Sequence, residues 1–247
     1  MSVRRFNSRD LENLANDAVS WFIAAAADAI GMRGRFVAAF SGGATAEKFF
    51  TALANERNAG RVDWAKTFVF FADERDVAPS DELSNYNLAR RILLSRVPIK
   101  ESNVHQIVKR SGNPARTASS YSETLRNFFG SGIPTFDLVI LGMGEDGHIA
   151  SLFPKMPALN AKDEWVLSSP PGALPPAVNR ITLTLPAINT ARRVMFTISG
   201  QNKAQAVYDA LEGGASAENC PAAGVEPTSG DVIWLLDHAA ASLLRKK

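Results

Sequence analysis

The sequence predicts an α/β fold, a three-layer α/β/α arrangement around a mostly parallel, Rossmann-like sheet. Short apolar runs without polar alternation recur at Phe36 to Phe40, Phe68 to Phe71, Asp137 to Leu141, Val194 to Ile198 and Val232 to Leu236, as strands covered on both faces read. Helix-like segments alternate with them. Several runs also stop at glycine turns, where ligands collect in open α/β sheets.

Asn7 or Ser8 can cap a first helix with acids in its first turn, running to Gly31 or Gly34. Phe36 to Phe40 follows as a strand and ends in Ser41-Gly42-Gly43-Ala44-Thr45, and Ala46 to Asn55 reads as helix. A strand, glycine turn and helix in that order direct free N–H groups and a helix dipole at one point, which suits phosphate. Phe68 to Phe71 delivers Asp73-Glu74-Arg75 to the same edge; the triplet reads equally well as a charged surface turn, and nothing else demands a metal there. A helix capped at Ser80 or Ser84 ends by Pro98, His105 to Val108 is a short strand candidate, and Pro114 to Phe129 is a helix.

Asp137 to Leu141 is the central strand, followed by Gly142, Gly144, Gly147 and His148. The glycines match a dinucleotide fingerprint in form, but Pro154 and Pro157 interrupt the helix that fingerprint needs, so NAD binding is set aside. His148, beside Glu145 and Asp146, is the candidate base, and a helix N-terminus there would keep its imidazole neutral. Prolines break the stretch from Pro154 to Pro176 into loop, with a short strand near Trp165 to Leu167. Arg180 to Leu185 alternates as a strand, Gly200 to Lys203 repeats the strand, turn and helix theme, Gly213 to Gly230 is loop, and an Ala-rich helix is expected from Asp237.

One domain over residues 1–247 is expected, with ample apolar content for its core (46%). The formal charge is +2, and no basic run is longer than Arg245-Lys246-Lys247. No nucleic-acid or membrane attraction is therefore expected. Val19 to Ala27 is too short to cross a bilayer, which takes about 20 residues. The single cysteine, Cys220, excludes an internal disulfide and fits a reducing compartment. With no signal peptide apparent, a cytoplasmic location is expected.

The motifs S-G-G-A-T (41 to 45), A-D-E-R (72 to 75), S-N-Y-N-L-A-R (84 to 90), G-M-G-E-D-G-H-I-A-S-L-F-P (142 to 154), N-R-I-T (179 to 182), S-G-x-x-K (199 to 203) and the W-L-L-D-H-A-A-A ending together resemble the 6-phosphogluconolactonase family. The resemblance implies hydrolysis of 6-phosphoglucono-1,5-lactone to 6-phosphogluconate, a step of the oxidative pentose phosphate pathway, without cofactor or metal and without an obligate protein partner. It implies His148 as general base, oriented by Asp146. Ser41, Gly42, Gly43, Thr45, Arg75, Arg180 and Lys203 would bind the phosphate, with Asp73 and Asn85 close to the sugar. Ile149 stands where many members carry Thr, and Ser168-Ser169 precede the paired prolines where many have Lys. Two alternatives are an amino-sugar-phosphate deaminase or isomerase, which has a carboxylate where this chain has Phe153, and a non-catalytic sugar-phosphate sensor.

Overall fold

The structure, a computed structural model, describes residues 2–110, 112–130, 132–173 and 176–245; Pro175, Lys246 and Lys247 of the sequence reading lie outside them. The strands are β1 (Ser2–Ser8), β2 (Phe36–Phe40), β3 (Thr67–Phe71), β4 (Asp73–Arg75), β5 (Leu138–Leu141), β6 (Val166–Ser169), β7 (Arg180–Leu183), β8 (Arg193–Ile198) and β9 (Asp231–Asp237). The α-helices are α1 (Leu11–Arg33), α2 (Ala44–Leu53), α3 (Glu56–Ala59), α4 (Asn85–Ala89), α5 (Pro114–Phe129), α6 (Leu185–Ile188) and α7 (Ala204–Leu211). One sheet has the order β1-β9-β8-β5-β2-β3, with every pairing parallel. A second sheet, β4-β7-β6, is antiparallel.

Strand periodicity assigns the helices to faces. Successive side chains of a strand point to opposite sides, so Phe36 and Phe40 of β2 meet Phe22 of α1, whereas Phe70 of the neighbouring β3 meets Phe128 and Phe129 of α5. α1 and α2 therefore cover one face and α5 the other, which is the expected three-layer arrangement. β2 and β5 are fully buried, as their unbroken apolar sequences require. α5 spans the residues expected, started by Asn113, whose side chain accepts the Ala115 N–H, with Pro114 at its first position.

Four expectations change. Residues Ser2–Ser8 form an edge strand on β9, so α1 is capped by Asp10, which accepts from the Asn13 N–H, and not by Asn7 or Ser8. His105 to Val108 is no strand; Val104 makes a single bridge to Val69, and the His105 ring stacks on Phe70 at 4.3 Å. The Ala-rich segment after β9 forms turns and no helix among the described residues. Arg180 to Leu183 belongs to the antiparallel sheet, bridged to the end of β3 by the Leu183 N–H donating to the Ala72 carbonyl at 2.7 Å.

Candidate active site

A cleft of about 450 Å³ opens at the carboxyl ends of β2, β3, β5 and β8 and takes in Ser41 to Thr45, Asp73, Arg75, Asn85, His148 and Lys203. One wall is the turn from β2 into α2. Gly43, at φ 101°, occupies the helix cap with no side chain bonded to the first turn, so the first N–H groups of α2 are open to an anion. The buried Ser41 hydroxyl has no hydrogen-bond partner among the described residues. Gly42 is required by space, since a Cβ there would fall 1.9 Å from Asn85 Oδ1.

Lys203 closes this wall from the short 3-10 turn after β8. Its ammonium makes no hydrogen bond or ion pair among the described residues. Asp237, at the tip of β9, holds the turn in place. It accepts from Ser199 Oγ, from the Gly200 N–H at 3.1 Å and from the Ala240 N–H at 2.7 Å.

β4 forms the floor, and its alternation gives adjacent residues different tasks. Asp73 and Arg75 line the cleft, while Glu74 is 2% exposed and points into the protein. Glu74 accepts the backbone N–H groups of Arg75, Asn85 and Tyr86 and the Ser84 hydroxyl, at 2.7 to 2.9 Å. Burial pushes its pKa up, against these donors, which pull it down. The carboxylate thus ties the start of α4 to β4 and fixes Asn85, whose amide donates to Asp73 and whose Oδ1 accepts from Arg75 Nη1. Asp73 also accepts from Ser151 Oγ at 2.7 Å.

No helix follows β5; residues 142–148 form an open turn. The imidazole of His148 is therefore oriented by Asp146 and does not sit at a helix N-terminus. Asp146 Oδ1 lies 2.6 Å from His148 Nδ1 and also accepts the His148 N–H at 3.1 Å. A carboxylate at that distance assigns the proton to Nδ1 and leaves Nε2 as the lone-pair nitrogen. Burial works to raise the pKa of Asp146, but the hydrogen bonds and charge of His148 outweigh it and hold the carboxyl below its usual range. The imidazole also packs on Phe153, with ring centroids 4.7 Å apart. Gly172 in turn lies against Phe153, where a Cβ would come within 2.4 Å of the ring.

Gly147, at φ 81°, packs on Cys220, whose Sγ would meet an added Cβ at 2.6 Å, so the cysteine is a spacer behind the His148 turn. The buried Arg180 lines a smaller adjoining cavity of about 70 Å³, together with Asp73, Arg75, His148, Ala150, Ser151 and Phe153. Apart from Asp146, which touches the site through His148, the residues expected at the site line these two adjoining spaces, with Arg180 beside His148 and apart from Thr45 and Lys203. Sequence reasoning missed Glu74, Ser151, Phe153, Ser199 and Asp237 as supports. Each lies inside a quoted motif, which was their signal; Gly172 had none.

Comparison with known proteins is consistent along the whole length. The family described as Glucosamine-6-phosphate isomerases/6-phosphogluconolactonase matches residues 9–234. A rice protein named probable 6-phosphogluconolactonase 1 (Oryza sativa subsp. japonica) is 36% identical over 99% of this chain and 85% of its own. The Homo sapiens 6-phosphogluconolactonase is 42% identical over 87% of this chain and 83% of its own. The solved 6-phosphogluconolactonase from Trypanosoma cruzi superposes with a TM-score of 0.89 at 26% identity, covering 100% of this chain and 99% of that one.

Proposed function

The chain belongs to the glucosamine-6-phosphate isomerase/6-phosphogluconolactonase family, and we propose that it hydrolyses 6-phosphoglucono-1,5-lactone to 6-phosphogluconate, with His148 as general base. The observation that carries this reading is the imidazole tied to Asp146 at 2.6 Å while lining the same cleft as an uncapped helix N-terminus and a lysine without a protein partner. One end suits a phosphoryl group; the other presents a basic nitrogen to the far end of the ligand.

In the hydrolysis, a water oxygen bonds to C1 as one of its protons passes to His148 Nε2, and the carbonyl electron pair moves onto the C1 oxygen. The intermediate collapses by breaking the bond from C1 to the ring oxygen, which takes the proton back from the imidazolium. Asp146 holds the ring orientation and stabilises the transient cation. Binding the remote phosphate restricts the ring so that attack comes from one direction.

Lactone loss above the spontaneous rate, followed with purified protein, tests the proposal; no acceleration would refute it. Lys203→Met is expected to raise KM about 10- to 100-fold, the loss of one charge-assisted contact, with little change in kcat. Gly144→Ala is expected to act the other way. Its Cβ would lie 2.0 Å from His148 Nδ1 and 2.3 Å from Asp146 Oδ1, and a displacement of the pair by about 1 Å costs about 100-fold in kcat. Phe153 against the imidazole supplies no second carboxylate there, which disfavours deamination. Ammonia release from glucosamine 6-phosphate would reverse that choice.

A further inference from the structure

We propose that Asn202 is a positioning residue: its carboxamide clasps Glu145 and so fixes the spacing between the turn that carries the base and the turn that carries Lys203. This deepens the lactonase reading and rests on it. The two turns follow adjacent parallel strands, β5 and β8, whose ladder ends at Leu141 and Phe196. Each turn is then anchored to a different part of the chain. The Gly147 carbonyl accepts the Ala222 N–H at 3.1 Å, whereas the Gly200 N–H donates to Asp237 at 3.1 Å. Between the turns themselves, residues 142–148 and 199–203, a single hydrogen bond runs among the described residues: Asn202 Nδ2 donates to Glu145 Oε2 at 3.1 Å.

A carboxylate only accepts, so the amide nitrogen of Asn202 must face Glu145. The amide oxygen lies over its own turn, where a Cβ on Gly200 would come within 2.9 Å of it. Asn202 lines the cleft with His148 and Lys203, and Glu145 immediately precedes Asp146, the partner of the His148 ring. Glu145 is exposed and has no other side-chain partner among the described residues, so core packing does not account for its place. A ligand whose phosphate is gripped at Lys203 presents C1 at a set distance, and the imidazole has to meet the attacking water there within hydrogen-bond reach. The clasp holds that distance from the rim of the cleft. Its loss leaves the phosphate wall intact and lets the base turn drift, which lowers kcat and spares affinity.

Asn202→Ala and Glu145→Ala are each expected to lower kcat about 3- to 10-fold, the usual worth of one hydrogen bond. KM for the lactone, and affinity for 6-phosphogluconate by calorimetry, are expected to stay within about twofold of wild type in both. The double variant is expected to lose no more than either single one, since both remove the same contact. Glu145→Gln keeps an acceptor for the amide, and its kcat is expected within about twofold of wild type. Both side chains are exposed, so the variants keep the fold. The second readout is NMR: Asn202→Ala is expected to shift the resonances of the His148 ring and of the Gly144 and Gly147 amides, all on the neighbouring turn. Losses that add in the double variant would make the two residues independent, and a Glu145→Gln variant as slow as Glu145→Ala would make the effect one of charge. An affinity that falls with kcat would make Asn202 a ligand contact. Each of these outcomes overturns the inference. Should the wild type not accelerate lactone loss, the lactonase reading falls and the spectra decide alone: unmoved base-turn resonances in Asn202→Ala would overturn the clasp, and a shift there would leave it standing.

Discussion

Replacing His148 by alanine is expected to slow lactone turnover by about 10²- to 10⁴-fold, the usual contribution of a positioned base. Affinity for 6-phosphogluconate is expected to hold within a few-fold, because the wall proposed to take the phosphate is built from β2, α2 and the turn after β8. The imidazole, 22% exposed, is not part of the apolar core, so the fold survives its loss. The separation of kcat from binding is the diagnostic. A matching loss of both would make His148 a binding group, and an undiminished rate would remove it from the chemistry. The Asp146 pair also fixes an acid limit. Its folded pKa lies below the usual 3.8, so its contribution to stability and orientation is present above that pH and is lost as pH falls through the lowered value.

Glu74→Ala is expected to destabilise the protein by about 3 to 5 kcal/mol, since stranding a buried donor costs about 1 to 3 kcal/mol and several are stranded at once. The groups left without an acceptor are the Arg75, Asn85 and Tyr86 N–H groups and the Ser84 hydroxyl. Water reaching the start of α4 keeps the total below the simple sum. In a chain of this size the loss corresponds to a fall in Tm of about 10 °C. Denaturant unfolding measures it, and a change below about 1 kcal/mol would show that the carboxylate does not hold the two elements together. Asn85 and Arg75 would lose their seat as well, so sugar-phosphate affinity should fall with stability.

The central sheet was legible because a strand buried on both faces leaves an unbroken apolar run, as Phe36–Phe40 and Leu138–Leu141 do. The glycine turns at their ends named most of the cleft. What escaped was short or edge-like. β1 carries Arg4, Arg5 and Asn7, and only its pairing with β9 makes it a strand. β4 is too brief for periodicity to speak, and the alternation that marks β7 does not say which strands it pairs with, so the second sheet, and with it the place of Arg180 beside His148, was hidden. In the sequence Glu74 reads with Asp73 and Arg75 as one charged triplet. Strand alternation would have separated it from Asp73 and Arg75, had the triplet been recognised as a strand.

Asp237 sits seven residues past Gly230, the last glycine of the Gly213 to Gly230 loop, yet it clamps Ser199 and Gly200, and β9 that bears it is laced to β1. β1 and β9 therefore share in holding the turn that carries Lys203. Loss of β1 is expected to reach the turn that carries Lys203 through β9 and Asp237.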